Sequence, residues 1–484
     1  MSFSALILSL FLQVAVAPGQ SAPPPAAELG ALPCAVDPRV EFLMAVARNS
    51  GFEEYRRTEA TSPYSARVDA LFAPHLAHPA FESMRTMRRV LGISHDAITS
   101  LALHLSDAPQ FTERIPFVLN PARLDERFSL DDTRMLLIHL RELAALVDWP
   151  AFAKLEQSFY EQARLRLAEA VVQTGLRVPG WFDQTLGVKS DASVVVIVGL
   201  LAGPMNHGCS VAFADGTPEE IRPLIGCWEW DADGLPVFPS AHEGGLTALL
   251  AHELCHSYVN PWVIRHAAEL HEVGKRIYEL AAAAMKQQSY GSWLITMNET
   301  VVRACVLRLL ADTAGGTAAA QEMKNDMRSG FIWVPALAAE LGRAMRGAEG
   351  APHPTLDELT PVIVQTLARE ADRLEAIEAR RPRLESSEPI DGATNVAPGE
   401  FHLRLQFSTA MNSTSYSVVG APEDLPTGFE LVKVSDDGQS WEFRGTVEAG
   451  RSYRIGLNSA RFTNFRSTDG GSLKPAVIHF TVEK

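Results

Sequence analysis

Near residue 382 the chain changes its hydrophobic rhythm, and one core cannot serve both halves. Upstream, apolar residues recur at helical spacing over long stretches. Downstream, residues 383–484 carry short alternating runs, among them Phe401-His402-Leu403-Arg404-Leu405-Gln406-Phe407, Trp441-Glu442-Phe443 and Ser452-Tyr453-Arg454-Ile455-Gly456-Leu457. Asp391-Gly392, Asp437-Gly438 and Asp469-Gly470 supply the turn signals between them. A β-sandwich of roughly a hundred residues is expected there. With 484 residues the chain is also too long for one ordinary core. The expected class is α+β: a mainly helical domain with a small β-sheet over 38–382, then the sandwich over 383–484.

Hydrophobic residues make up 46% and charged residues 21%, which excludes a largely disordered or fibrous chain. The formal net charge is -15, and no basic run is longer than Arg380-Arg381. No nucleic-acid partner is therefore expected. Five cysteines rule out a disulfide scaffold. Ala5 to Ala17 (ALILSLFLQVAVA) is apolar but shorter than the about 20 residues a bilayer needs. It reads as the core of a signal peptide over 1–22, followed by a Pro/Ala-rich linker over 23–37. The expected location is secreted, periplasmic or cell-envelope, with no transmembrane span. In an exported chain Cys209 and Cys227 either bridge neighbouring strands or stay buried thiols.

Within the first domain, Ser129 reads as a helix N-cap with Asp131 and Asp132 in the first turn. Met135, Leu136, Leu137, Ile138, Leu140, Leu143 and Leu146 follow as its apolar face. Pro150 opens the next helix, which runs towards Val172. Between about 190 and 240 the pattern turns to strands: Ser193 to Leu200, Cys209 to Phe213 and Ile221 to Trp230. Helical patterns resume from about 244 to 380.

One motif carries chemistry. His252-Glu253-Leu254-Cys255-His256 is HExxH. On a helix the two histidines, at i and i+4, share a face and can point at one ion. Glu253 lies beside them, placed to take a proton from water activated by zinc. The flanks Leu249-Leu250-Ala251 and Ser257-Tyr258 are uncharged, as a buried helix requires. Pro261 is expected to end the helix at Asn260.

The third ligand decides the type. A His-rich metzincin needs HExxHxxGxxH, but Val259 and Trp262 stand at the glycine and third-histidine positions. The glutamate type needs a second helix, and Glu299 is its candidate, 43 residues after His256 on an apolar helix from Trp293 to Leu310. A carboxylate on such a helix needs a partner, which a metal supplies. Arg303, at i+4, can hold Glu299 from behind. His266, His271, Glu272, His242 and Glu243 are weaker competitors for the ion or the cleft. Tyr258, Tyr290, Arg303 and His207 are the candidates for transition-state stabilisation.

At these residues the chain resembles a gluzincin-type zinc metallopeptidase. More narrowly, it resembles a bacterial family known as domain of unknown function 4932. The likeness rests on His252 to Pro261 (HELCHSYVNP), Asn298-Glu299, His78-Pro79-Ala80 with Met87-Arg88-Arg89, and Gly330 to Pro335 (GFIWVP), and covers about 40–380. It implies a zincin-like domain in a secreted or envelope peptidase acting on a peptide or protein. The tail resembles a bacterial Ig-like (SbsA-like) domain at Pro389 to Val396 and Phe407 to Met411. That likeness implies a spacer or an attachment to the cell envelope. Three readings stand: a zinc peptidase with His252, His256 and Glu299 as ligands and Glu253 as general base, an envelope adhesion protein with a structural or vestigial zinc site, or a metal-dependent hydrolase acting on something other than a peptide.

Overall fold

The computed structural model describes residues 32–57, 61–117, 124–125, 127–176, 180–186, 191–213, 215–239, 245–346, 354–459 and 461–484. The leader expected over 1–22, most of the linker, and His242 and Glu243 lie outside the described residues. Among the described residues no helix is long and apolar enough to cross a membrane. The chain is mixed α+β and divides into two compact units, one ending at Glu370 and one running from Ala371 to Lys484. The division falls inside the helix Thr360–Ala379.

The first helix of this unit is Pro38–Asn49, capped by Asp37, whose side chain accepts from the Arg39 N–H. Its Phe42 packs at ring-centroid distances of 5.1 Å from Phe111 and 5.2 Å from Trp149, seeding an aromatic core. The helix Leu130–Leu146 starts where its cap signals place it, with Ser129 Oγ accepting from the Asp132 N–H. Its apolar face is narrower than the sequence suggests. Leu136, Leu137, Leu140 and Leu143 are buried, whereas Met135, Ile138 and Leu146 are exposed. Seven apolar residues in one helix subtend more than a single neighbouring layer can cover. Pro150 does sit in the first turn of a helix, Trp149–Leu155, but a second helix, Gln157–Thr174, begins after Glu156.

A three-stranded parallel sheet carries the centre of this unit. Val196–Gly199 pairs with Cys34–Ala35 on one side and with Leu224–Gly226 on the other. Val196–Gly199 is buried throughout, as parallel strands covered on both faces are. The chain then folds back over its own sheet. Leu200 donates its N–H to Glu41 Oε1 at 2.9 Å, Asn206 Oδ1 accepts from the Gly226 N–H at 3.0 Å, and His207 bridges to Leu224. A side chain at Gly226 would lie 2.1 Å from the Gly203 carbonyl oxygen, so the loop can settle only on glycine. All five cysteines are buried free thiols. Of the two readings for Cys209 and Cys227 the structure has the buried thiols; packing, not a crosslink, holds these strands.

Four helices follow in close succession: Gly245–Arg265, Ala267–Gln287, Trp293–Thr313 and Gly316–Arg328. Trp293–Thr313 is the central one, packed against the other three and against Val334–Ala344. Inside the core its Thr300 Oγ1 accepts from Trp333 Nε1 at 3.0 Å. Gly274 lets the neighbouring helix approach, since a side chain there would meet the Trp293 ring at 2.8 Å. The first helix does not stop at Asn260. It runs through Pro261 to Arg265. Tertiary packing of buried Trp262 and Val263 outweighs the one helical hydrogen bond that proline removes.

The second unit has two four-stranded sheets. One orders Thr427–Val434, Ser440–Val447, Gly399–Phe407 and Leu384–Glu388; the other orders Ala393–Val396, Ala476–Val482, Ser452–Leu457 and Val418–Val419. Inward residues of both, including Leu403, Trp441, Phe443, Ile455 and Ile478, share one apolar core. Phe401 stacks on Phe480 at 4.6 Å across the two sheets.

The fold makes a stability prediction at Glu41, whose carboxyl burial pushes from the ordinary 4.5 up to about 8. A raised carboxyl contributes its stability in full below about pH 4.5 and loses it as pH climbs through 8. Glu41→Gln keeps the acceptor for the Leu200 N–H without the ionisable proton. Thermal unfolding of this variant should match the parent near pH 4.5 and occur at increasingly higher temperature than the parent towards pH 8. A constant difference across that window would show that Glu41 does not titrate there.

Candidate metal centre

The helix Gly245–Arg265 places His252 and His256 one turn apart, and their ring centroids are 4.8 Å from each other. The helix Trp293–Thr313 crosses beside it and delivers Glu299 to the same point. The two Nε2 atoms are 3.2 Å apart. Glu299 Oε2 is 3.5 Å from His252 Nε2, and Oε1 is 3.4 Å from His256 Nε2. Among the described residues these three form the one group whose geometry could hold a metal ion.

These distances are a test of fit. A tetrahedral zinc site has arms of about 2.0–2.2 Å, so its ligand atoms stand about 3.3–3.6 Å apart. The three observed edges fall on or beside that range. Two imidazoles and one carboxylate also form a donor set that leaves the fourth corner of a tetrahedron open. His256 is oriented from behind by Asn260, whose Oδ1 is 3.1 Å from Nδ1. With Nδ1 donating to that oxygen, Nε2 is left free to face an ion.

Glu299 is only 7% exposed, so its charge demands compensation. Burial would raise its carboxyl; His252, His256 and Arg303 override burial and hold it well below the usual carboxylate range. Arg303 Nη2 reaches Glu299 Oε2 at 3.2 Å, the i+4 pairing read from the sequence. The Tyr290 hydroxyl donates to the same oxygen at 3.1 Å. Arg303 in turn holds Asp326 through Nη1 at 2.6 Å and lies 4.4 Å from the Phe331 ring centroid.

Glu253 is buried beside the group, at 5% exposure. Burial pushes its carboxyl up to about 7, with Glu299 adding to the rise and His252 and the Gly208 N–H opposing it. The loop ending at Gly208 is pressed onto this turn of helix. A Cβ at Gly208 would stand 2.4 Å from the Glu253 carbonyl oxygen and 3.3 Å from His256 Cβ.

The remaining candidates fall in different places. Tyr290 and Arg303 join the group through Glu299. His207 is buried next to Gly208, packs edge-on against His95 at 5.3 Å, and neither ring nitrogen has a hydrogen-bond partner. Burial lowers its imidazole to about 3, so it is neutral. Tyr258 is buried against Phe182, the rings stacked at 5.4 Å. It lies two residues past His256, about 200° further round the helix. His266 is held by Asp357 at 2.7 Å and Glu269 at 3.3 Å, and His271 packs on Trp293, so neither belongs to the centre.

Sequence reasoning missed Asn260, Gly208 and Asp326. Asn260 had a signal, its i+4 spacing from His256, which the adjacent proline masked. Asp326 sits in a polar helix, Gly316–Arg328, that reads as solvent-facing throughout.

Residues 189–365 match the family model described as Domain of unknown function (DUF4932). The match is narrower than the span of about 40–380 expected from the motifs, and it takes in His207, both histidines of the centre, Glu299, Arg303 and Asp326. No curated protein matches the chain. Among solved structures it is similar to CopC from Methylosinus trichosporium OB3b, with 19% identity over 21% of this chain and 94% of that one, at a TM-score of 0.17. It is also similar to domains 1-6 of the surface layer protein SbsC, with 13% identity over 53% of this chain and 35% of that one, again at 0.17. A longer SbsC structure, rSbsC(31-844), gives 12% identity over 84% and 46%, at 0.17. At these scores the likenesses bear on neither fold nor function.

The centre predicts an outcome at Gly208. Gly208→Ala should force the loop off the helix turn that carries Glu253 and His256. Its thermal midpoint should fall by several degrees, and its capacity to bind zinc should weaken in parallel. Calorimetry with a zinc titration checks both; wild-type values for the two would show that the close approach is not needed.

Proposed function

We propose that this protein is a zinc-dependent hydrolase of the gluzincin type, acting on peptide bonds of a peptide or protein. The observation that carries the reading is the convergence of His252, His256 and Glu299 at tetrahedral edge lengths, with buried Glu253 alongside. His252, His256 and Glu299 would hold the ion. A bound zinc supplies Lewis-acid polarisation of a carbonyl and an acidified water. Glu253 takes up the proton from the attacking water and returns it to the leaving amine. Burial raises its carboxyl above the ordinary carboxylate range, the direction a proton-carrying group needs. Arg303 and Tyr290 hold Glu299 in place and leave its face towards the histidines free.

The test separates ion from chemistry. Glu253→Gln should keep about one zinc per chain by elemental analysis while hydrolysis of a mixed peptide library falls by about 10²-fold or more. Glu299→Ala should lose the zinc. A Glu253→Gln variant with full turnover, or a Glu299→Ala variant with unchanged zinc, would remove the role assigned to that residue. Products that form equally with and without a chelator would overturn the metal-dependent reading.

A further inference from the structure

We propose that Asp326 is a positioning residue of the centre, acting on Glu299 through Arg303; this rests on the metal-binding reading above. Asp326 is 1% exposed and comes from a helix, Gly316–Arg328, that contributes no ligand. It holds the guanidinium once directly and once through Phe331. Its Oδ1 accepts from Arg303 Nη1 at 2.6 Å. Its backbone carbonyl accepts from the Phe331 N–H at 2.9 Å, and the Phe331 ring lies against Arg303, 4.4 Å from Cζ to the ring centroid. The edge and the face of the guanidinium are thus both set by one short segment, Asp326 to Phe331.

The other end of the fork then has little freedom. Nη2 reaches Glu299 Oε2 at 3.2 Å and the Tyr290 hydroxyl at 3.3 Å. Arginine is planar, so fixing Nη1 and the face fixes where Nη2 points. Arg303 is itself mostly buried, with 14% of its side chain exposed, so it cannot swing into solvent without a large desolvated gap. Without the Asp326 carboxylate, the Nη1 end of the guanidinium would lose its anchor, and the Nη2 contact that holds Glu299 towards the two histidines would be less well fixed. Partners of this kind behind a ligand are worth about 10–100-fold in metal affinity.

The experiment measures zinc affinity of the full chain by competition with a chromogenic chelator, together with the thermal midpoint of the zinc-free protein. Asp326→Asn, which keeps the shape and removes the charge, should bind zinc about 10–100-fold more weakly. Arg303→Lys should do the same, because an ammonium cannot span Asp326 and Glu299 together. The double variant should be no weaker than Arg303→Lys alone, since Asp326 acts only through the arginine. A merely structural Asp326 would lower the midpoint and leave the affinity of the folded protein unchanged. Wild-type affinity in Asp326→Asn, or losses that multiply in the double variant, would overturn the proposal. If Asp326→Asn does not fold, Arg303→Lys alone decides, and unchanged affinity there overturns it. A parent protein that binds no zinc would overturn the metal centre and this inference together, whereas zinc binding by the parent with unaltered Asp326→Asn would overturn this inference alone.

Discussion

A carboxylate buried in a helical core is the constraint around which the first unit is arranged. Glu299 is buried on a helix packed against four others, where an uncompensated charge would be worth several kcal/mol of instability. The structure surrounds it with donors: two imidazoles on one side, and a guanidinium and a phenol on the other. Each of those groups needs its own support, and so the demand spreads outwards to Asn260, Asp326 and Phe331. The helix packing and the polar layer are thus one arrangement seen at two scales.

The small parallel sheet matters for a different reason. It turns the chain back so that the loop 200–208 can lie on the helix bearing the histidines. The loop is held at its start by Glu41, in the middle by Asn206, and at its end by the bridge from His207 to Leu224. Three anchors over nine residues leave it little room, and at Gly208 it lies against the Glu253 carbonyl and His256 Cβ. Burial raises the Glu253 carboxyl, and the Gly208 N–H from this loop opposes that rise.

How much of this could be read beforehand varied with range. Ser129 and its acidic first turn placed a helix start correctly, because capping is a matter of adjacent residues. Ser452 to Leu457 was legible as a strand, because alternation repeats every two residues. The i+4 pairs His252–His256 and Glu299–Arg303 were legible for the same reason: helix geometry makes them neighbours whatever else happens. The fault at Met135, Ile138 and Leu146 was one of extent, since a periodic pattern does not say how much of the helix surface its neighbours will cover. The end misplaced at Asn260 shows packing overruling a local rule. Asp326 and Gly208 were invisible, because their roles are defined only by what lies across space from them.

Position 208 shows how narrow such a role can be. The space between loop and helix there is smaller than one methyl group. Sequence drift in a lineage that keeps this geometry is barred at a residue with no functional group at all. Searches for distant relatives of this centre would therefore gain discrimination by weighting a glycine upstream of the histidine pair, alongside the histidines themselves.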